Sequence, residues 1–424
     1  MSDAGLSVAV FAVTYGLIMS ERVHKTTAAL LGAAAVLLLH LLDSEQAFAA
    51  IDLNVILLLV GMMIIANTLA ATGVFQWLAI RAAKVARGDP LRVLIMLCLV
   101  TGLLSALLDN VTTVVLVGPV TIVVAQTLGV PVAPMLVAEA IASNIGGTMT
   151  LIGDPPNILI GSYAHLSFID FTTGVGPGAL LALLVYLVVV RVQMRSAMTA
   201  EAGVAERVLE IDDSELITDR RRLRIGGLVL LATVVGFLLH GTFDYEPSTV
   251  AIAGAAALLL LTGEDPHHAL RDVEWSTLFF FIGLFIVVGS LDEHGVLEAV
   301  GRRAGEAAGG STTVATMLIL WVSAVLSGVV DNIPYTATML PVIGEMQRDL
   351  DGDGKVLWWS LAMGADLGGN LTIIGASANV LVANLAARAG HPISFWSFLR
   401  YGATATVTTV AISAAYLWLR YLAF

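Results

Sequence analysis

Cysteine is nearly absent from this sequence, and histidine is scarce. Among 424 residues there is one cysteine, Cys98, and there are eight histidines. A single cysteine excludes an internal disulfide framework, and it also excludes any site built from several thiolates of one chain. The adjacent His267 and His268 show no spacing typical of metal ligands. We therefore expect no metal centre and no cofactor.

Charged residues are also few, and the basic ones form no cluster. Only 13% of the residues are charged, with 21 Lys and Arg against 33 Asp and Glu, which gives a formal net charge of −12. The acidic excess lies between apolar runs and in one central segment. Nucleic-acid binding requires a basic patch or stripe, so this class of partner is excluded.

The sequence does contain a succession of long apolar runs. Hydrophobic residues make up 58% of the chain, and the mean hydropathy is +0.89, far above that of soluble domains. A helix needs roughly 20 residues, at about 1.5 Å each, to cross about 30 Å of hydrocarbon. Because such runs recur from end to end, the sequence predicts an all-α polytopic membrane protein embedded in a lipid bilayer.

The second half of the chain repeats the first at a constant offset. Asp331-Asn332 follows Asp109-Asn110 by 222 positions. The same offset relates Gly61 to Gly283, Ser105 to Ser327, Pro119 to Pro341, Gly146 to Gly368, Thr150 to Thr372 and Asn157 to Asn379. The chain is therefore predicted to contain two membrane repeats, residues 1–195 and 223–424, joined by a charged linker at residues 196–222.

Each repeat is predicted to contain about five spans, one of them a broken helix, together with a hairpin. In the first repeat the spans lie near 5–19, 27–42, 53–70, 133–163 and 172–193, with a basic surface segment near 76–88 and two arms near 93–108 and 113–128. If both arms cross the membrane, each repeat has seven crossings. If they form a re-entrant hairpin, it has five. Either odd number predicts inverted-topology repeats.

Basic residues indicate which side of the membrane the linker occupies. In the re-entrant interpretation, Arg22, Lys25, the basic segment 76–88 and the arginines at 220–222 all lie on one side. Short cytoplasmic loops are enriched in Lys and Arg. The linker is therefore expected in the cytoplasm, and both chain ends are expected outside a cell inner (plasma) membrane.

Four polar interruptions break the apolar runs. Two are the tips that begin at Asp109 and Asp331, and two are the stretches SNIGGTMTLIGDPPN at 143–157 and ADLGGNLTIIGASAN at 365–379. A charged side chain at mid-membrane costs roughly 2.5–3.5 kcal/mol on insertion scales, and broken backbone is tolerated there only inside protein or beside water. Half-helices aim free N–H and C=O groups at one point. The four interruptions therefore predict one shared polar binding site.

These motifs also carry a family resemblance. DNVTT at 109–113, DNIPYT at 331–336 and the two glycine-rich stretches resemble the ion transporter superfamily, specifically its arsenite permease and sodium/proton antiporter branch with its P-protein-like members. The resemblance covers nearly the whole chain. It implies about ten spans with two re-entrant hairpins, and a substrate held between the hairpin tips and the broken helices.

The resemblance implies that amide and hydroxyl side chains at the tips and breaks contact the substrate. Such groups both donate and accept hydrogen bonds and suit arsenous acid, a neutral trihydroxide at pH 7. The expected substrate contacts are Asn110, Asn144, Thr148, Thr150, Asn157, Asn332, Thr372 and Asn379. The halves differ because Asn144 aligns with Asp366, and Asp154 aligns with Ala376. The expected carriers of coupling protons or cations are four acids, Asp109, Asp154, Asp331 and Asp366.

Structural alternatives remain open for several of these residues. Asp109 and Asp331 also suit the N-caps of the helices that follow each tip, and capping and coupling are compatible. Asp154 precedes two prolines and also suits a turn. The Gly-Gly pairs also suit close helix packing. Glu139 is interpreted either as a proton-binding group or as a hydrogen-bonded structural acid.

The resemblance implies a secondary active transporter that exports arsenite or antimonite in exchange for protons. The alternative is a sodium/proton antiporter, or another small-ion transporter of the same superfamily, in which the acids would ligate Na⁺. No G-x-x-x-x-G-K-[ST] motif is present, so an ATPase that energised export would be a separate subunit. No nucleophile with a neighbouring base stands out, so an enzyme is not expected.

Overall fold

The computed structural model describes residues 2–20, 22–199, 209–210, 212–213, 215–243, 245–348 and 354–423. These residues form helices and contain no β-strand. The helices are α1 (Asp3–Ser20), α2 (Lys25–Leu38), α3 (Ser44–Ala49), α4 (Leu53–Ala70), α5 (Val74–Val85), α6 (Pro90–Ser105), α7 (Asn110–Leu128), α8 (Val132–Gly147), α9 (Pro155–Tyr163), α10 (Phe168–Met194), α11 (Arg220–Phe243), α12 (Pro247–Thr262), α13 (Pro266–Arg271), α14 (Trp275–Glu293), α15 (Val296–Ala307), α16 (Thr312–Ser327), α17 (Asn332–Arg348), α18 (Lys355–Gly368), α19 (Ser377–Arg388) and α20 (Phe395–Leu417).

Helix starts follow the capping residues in the sequence. The Asp52 carboxylate accepts hydrogen bonds from the backbone N–H groups of Asn54 and Val55, at 3.0 and 3.1 Å, and so begins α4. Asp89 caps α6 in the same way, and Pro90 occupies the first helical position. Both choices satisfy N–H groups that a helix start otherwise leaves without partners.

Each helix of the second repeat corresponds to the helix ten places earlier, and corresponding helices run in opposite directions. The Asn67 side chain near the end of α4 donates to the carbonyl of Asp272, just before α14, at 2.7 Å. Gln46, which precedes α4, donates to Glu293 at the end of α14, at 2.9 Å. Helix α4 therefore ends where α14 begins and begins where α14 ends. The predicted inverted-topology repeats are confirmed.

The two repeats exchange a pair of helices and so interlock. Helix α2 packs against α14, and its counterpart α12 packs against α4. At these crossings Gly61 faces Ala251, and Gly283 faces Ala29. A Cβ atom on Gly61 or Gly283 would lie 2.6 or 2.7 Å from a backbone carbon of the facing alanine. Both crossings require glycine because any side chain would collide with the partner backbone.

Each repeat contributes a hairpin and a broken helix. Helices α6 and α7 form the first hairpin, and α16 and α17 form the second, while α8 with α9 and α18 with α19 are the two broken helices. Helix α9 packs against α17, and α19 packs against α7, so each broken helix contacts the hairpin of the other repeat. Asn110 and Asn332 at the two tips are only 3% and 2% exposed. This burial agrees with re-entrant hairpins whose tips lie inside the protein.

The described residues contain seven helices that are long and apolar enough to cross a membrane, namely α1, α4, α7, α10, α11, α14 and α20. The span predicted at 27–42 is shorter than expected, because α2 ends at Leu38 and the chain turns at His40, whose φ is 55°. Helices α2 and α12, of 14 and 16 residues, extend only about 21 and 24 Å. Both are apolar but shorter than the hydrocarbon core of about 30 Å.

The linker predicted at 196–222 is described only in part. Residues 200–208, 211 and 214 lie outside the described residues. Asp213 forms ion pairs with Arg81 and Lys84 of α5, at 2.6 and 2.5 Å, and Thr218 N–H donates to the Thr72 carbonyl at 3.0 Å. The linker therefore lies against the basic surface helix. The boundaries of the three predicted segments stay a prediction.

Candidate functional site

The two hairpin tips converge on one carboxylate. The Asn110 amide donates to Asp154 Oδ2 at 2.7 Å, and the Asn332 amide lies 3.4 Å from both Asp154 oxygens. Asp154 is 1% exposed and precedes α9 in the first broken helix. Because Asn110 and Asn332 are equivalent by the repeat, a group that both contact lies close to the pseudo-two-fold axis between the repeats. Asp154 has no acidic counterpart, since Ala376 occupies the matching position.

A network of buried asparagines continues from the tips into the core. Asn110 also donates to Asn144 Oδ1 at 3.1 Å. The Asn144 amide in turn donates to Asn370 Oδ1 and Asn379 Oδ1, each at 3.0 Å. Asn370 and Asn379 belong to the second repeat, so this network joins both broken helices. Asn370 was missed by the sequence reasoning, although it corresponds to Thr148 at the repeat offset.

The threonines predicted at the breaks hold the loops in place. Thr150 Oγ1 donates to the Ala106 carbonyl at 2.5 Å, and Thr372 Oγ1 donates to the Gly328 carbonyl at 2.6 Å. Ala106 and Gly328 end the first arm of each hairpin and are themselves related by the offset. The two hydroxyl protons are therefore used to attach each broken helix to its own hairpin, and a direct contact with substrate stays a prediction.

The amides of Asn157 and Asn379 have the same bracing role in both repeats. Asn157 Nδ2 donates to the carbonyls of Gly147 and Thr150, at 3.1 and 3.0 Å. Asn379 Nδ2 donates to the carbonyls of Gly369 and Thr372, at 2.8 and 2.9 Å. Each side chain satisfies two carbonyls that the helix break leaves free. Only the Oδ1 atoms of these two asparagines remain to contact another group.

Thr148 and Asp366 lie on the inner side of the breaks. Thr148 Oγ1 donates to the Asn144 carbonyl at 3.0 Å, one turn back along α8. Asp366, in α18, is fully buried and lies beside Thr148 and Asn157. Neither of its carboxyl oxygens has a hydrogen-bond partner among the described residues.

The acids at the two tips have different surroundings. Asp109 caps α7, because its carboxylate accepts from Thr112 N at 2.8 Å and from Thr112 Oγ1 at 2.5 Å. Asp331 instead accepts from Lys25 Nζ at 2.9 Å and from Ile333 N at 3.1 Å. The capping alternative thus describes Asp109 well, whereas Asp331 is mainly an ion-pair partner. Sequence reasoning used Lys25 only as a sidedness signal and missed its place in the site.

A cavity of about 160 Å³ connects the tips to the surface. It extends from the exposed His24, before α2, to the buried Asp154. Its lining includes three acids, Asp109, Asp154 and Glu274. Lys25 also lines the cavity, and its positive charge is opposite to theirs. Since Lys25 is itself paired with Asp331, the wall is negative when these acids are ionised.

Two other expectations concern residues away from this cavity. Glu139 is buried in α8, where its Oε1 accepts from Thr101 Oγ1 at 2.9 Å and its Oε2 has no partner among the described residues. It does not line the cavity. Within the described part of the chain, no cluster of three His, Cys, Asp or Glu side chains is arranged to hold a metal ion.

The sequence matches the model of a known transporter family. The model of the CitMHS family, described as citrate transporter, matches residues 15–364. The chain belongs to the citrate transporter family. This family lies within the ion transporter superfamily, so the resemblance drawn from the tip and break motifs is confirmed.

Relatives of this citrate transporter family member are similar along its whole length. A protein of Mycobacterium tuberculosis, described as an uncharacterized transporter, is 47% identical over 422 residues, which cover 98% of both chains. The human P protein is 33% identical over 496 aligned positions, which cover 97% of this chain and 59% of the P protein. The family and these relatives show a membrane-embedded transporter.

A solved structure supports the fold. The YdaH transporter of Alcanivorax borkumensis, described as having an unusual topology, superposes with a TM-score of 0.63 and covers 99% of this chain and 98% of its own. The two sequences are 15% identical, so the likeness concerns the fold alone.

Proposed function

We propose that this protein is a secondary active transporter that exports arsenite or antimonite in exchange for protons across the cell inner membrane. The observation that carries the proposal is Asp154, which is held by Asn110 and Asn332 from both inverted repeats at the inner end of a cavity. Inverted repeats with a polar site at their interface are the architecture through which secondary transporters alternate access.

The charge of the cavity favours a neutral or cationic substrate over a free polyanion. The lining acids outnumber Lys25, and like charges repel strongly where the effective dielectric constant is low. A citrate ion would bring several negative charges against Asp154. Arsenous acid is neutral at pH 7, and its hydroxyl groups would donate to the Asp154 carboxylate and accept from the asparagine amides.

The buried acids provide the means of coupling to protons. A carboxylate inside a membrane protein is costly unless it is paired or protonated, so the buried acids are suited to bind and release a proton during the transport cycle. Each pH unit supplies about 1.36 kcal/mol per proton, and each 100 mV supplies about 2.3 kcal/mol per charge moved. These gradients suffice to drive export without nucleotide hydrolysis.

The cavity opens on the side of the membrane that carries the linker. Thr26, at the start of α2, donates to the Ser276 carbonyl at 2.7 Å, and α14 begins beside the end of α4, which the linker contacts through Thr218 and Thr72. The basic residues of α5 favour a cytoplasmic location for this side. An exporter loads its substrate from the cytoplasm, so this conformation suits the loading step.

A sodium/proton antiporter is the second candidate, and the oxygen-rich wall favours it. Carboxylate and amide oxygens are the ligands that hard cations prefer, and Asp109, Asp154 and Asn332 line one cavity. In this version Na⁺ takes the place assigned to arsenous acid.

Transport by the purified full-length chain in proteoliposomes tests the proposal. Arsenite, antimonite, sodium and citrate are compared side by side, with a pH-sensitive dye inside the vesicles. The proposal predicts that arsenite or antimonite gradients drive an opposite proton flux. Proton flux driven by sodium alone would favour the second candidate, and transport of citrate alone would contradict both.

A further inference from the structure

The core holds an acid, besides Glu139, that does not line the cavity. Asp366 is fully buried, does not line the cavity, and leaves both carboxyl oxygens without hydrogen-bond partners among the described residues. An ionised carboxylate buried without partners carries a large desolvation cost. The position therefore favours a carboxyl group that has taken up a proton.

The first repeat shows which contacts belong at this position. Asn144 is the counterpart of Asp366 at the 222-residue offset, and its amide donates to Asn379 Oδ1 and Asn370 Oδ1 at 3.0 Å. The counterparts of Asn379 and Asn370 are Asn157 and Thr148. These two side chains are the ones that Asp366 faces. Asn144 and Asp366 therefore lie beside equivalent positions of the two repeats. They differ because Asn144 offers an N–H donor where Asp366 offers a carboxyl oxygen.

Asn157 cannot supply the missing hydrogen atom. Its Nδ2 group donates to the carbonyls of Gly147 and Thr150, so a rotated amide would place its oxygen against two acceptors. The orientation is therefore fixed by the network, and Asn157 Oδ1 is buried without a donor among the described residues. Asp366 and Asn157 thus present three acceptor oxygens that have no donor among the described residues, and the neighbouring Thr148 hydroxyl donates to the Asn144 carbonyl instead. One proton on Asp366 turns this arrangement into a hydrogen bond.

Asp154 is a second buried carboxyl group, close enough to Asp366 for the charge of one to act on the other. Asp154 accepts hydrogen bonds from Asn110 and Asn332, which stabilise its ionised form. Asp366 accepts none from the part of the chain that the structure describes. Two neighbouring carboxyl groups with such different surroundings divide into one carboxylate and one acid.

We propose that Asp366 carries the exchanged proton, in an O–H···O hydrogen bond to Asn157 Oδ1, while Asp154 stays ionised and binds the substrate. This inference rests on the proposed function and names its proton-binding residue. In each cycle one proton binds Asp366 from the outside and is released to water on the cytoplasmic side, while the substrate moves outward. At the repeat offset, Asp366 provides a protonatable group where its counterpart Asn144 has none.

Exchanging the two residues provides the sharpest test. Asp366→Asn should lose substrate-driven proton flux but retain exchange of labelled substrate between the two sides. The double variant Asn144→Asp/Asp366→Asn should regain proton flux, because Asn379 Oδ1 offers the acid the same acceptor in the other repeat. Wild-type proton flux in Asp366→Asn would overturn the proposal. So would a double variant that exchanges substrate yet shows no more proton flux than Asp366→Asn.

Infrared difference spectroscopy tests the same claim without transport. The spectrum of each reconstituted variant is subtracted from that of the reconstituted wild type. The wild-type spectrum should contain the C=O stretch of a protonated carboxyl group that Asp366→Asn lacks and Glu139→Gln retains. Glu139 is the matched control, because it is another buried acid with one oxygen lacking a partner among the described residues. A spectrum in which Asp366→Asn loses no such band would overturn the proposal. Because this band does not depend on the substrate, failure of the arsenite proposal would leave it unchanged.

Discussion

Lys25 and Asp331 form an ion pair of 2.9 Å between the start of α2 and the tip of the second hairpin. Ser377, at the start of α19, accepts from Lys25 at 2.7 Å and donates to Asp331 at 3.2 Å. The counterparts of Lys25 and Asp331 are Pro247 and Asp109, and a proline cannot form an ion pair. The two tips therefore differ in charge, and the second is tied to a helix of the first repeat.

Replacing Lys25 should destabilise the conformation described here. Lys25→Met leaves Asp331 without its cation, and we expect a loss of about 1–3 kcal/mol, between the values typical of exposed and buried pairs. Thermal unfolding in detergent at pH 7 measures it. The double variant Lys25→Met/Asp331→Asn should recover part of the loss, because no unpaired carboxylate remains. Strictly additive effects of the two substitutions would show that the pair is not coupled.

The two tip asparagines should contribute to substrate binding in a similar way. Asn110→Ala and Asn332→Ala each remove an amide that donates to Asp154. Losing a hydrogen bond to a buried carboxylate costs about 1–3 kcal/mol, which corresponds to roughly 5–150-fold in affinity. The measurement is the substrate concentration at half-maximal transport.

Asn54→Ala is the control for these variants, because Asn54 bonds to Glu246 outside the cavity. An unchanged half-maximal concentration in both tip variants would remove the tips from the binding site.

The glycine crossings should tolerate no side chain. Gly61→Ala and Gly283→Ala place a methyl group against the backbones of Ala251 and Ala29, and overpacking of this kind costs about 1–3 kcal/mol. Gly227→Ala, in α11, is the control, since a Cβ atom there meets nothing within 4 Å. The thermal unfolding temperature should fall for Gly61→Ala and Gly283→Ala, and it should stay level or rise for Gly227→Ala. Equal unfolding temperatures for all three would contradict the interlocked packing.

The contact between the linker and α5 should depend on pH. The hydrogen bond from Lys84, with the nearby positive charge of Arg81, lowers the pKa of Asp213. The contact is therefore fully present above the unfolded-state pKa of about 3.9 and is lost as the pH falls through the lowered folded-state value. Asp213→Asn should reduce thermal stability at pH 7, and the difference from wild type should vanish at lower pH. A difference that does not shrink as the pH falls would contradict this assignment.

The sequence predicts the repeat architecture well because the offset is visible in backbone-determining residues. Glycines, prolines and asparagines at a turn, a helix break or a close crossing cannot be substituted without altering the path of the backbone. Gly61, Asn157 and their counterparts therefore mark equivalent positions in the two repeats. The exact end of α2 was missed because it depends on a turn at His40 that no glycine or proline signals.

The site was less accessible from the sequence than the fold. Reasoning from motifs predicted that these residues lie in one region, and the structure separates their contacts: Asn110 and Asn332 contact Asp154, whereas Asn157 and Asn379 brace the breaks. Lys25 could not be found this way, because its partner lies 306 positions away. Contacts between the repeats depend on how the helices pack in three dimensions, and a local sequence motif does not show this.

Asp154→Asn in proteoliposomes tests the central claim most directly, because both repeats meet at this carboxylate. Substrate-driven proton flux is measured for wild type, Asp154→Asn and the control Asp170→Asn. Asp170 is an acid outside the cavity, where it accepts from the N-cap residue Ser167 and pairs with Lys355. The account predicts flux in wild type and Asp170→Asn and none in Asp154→Asn. Undiminished flux in a folded Asp154→Asn variant would contradict it.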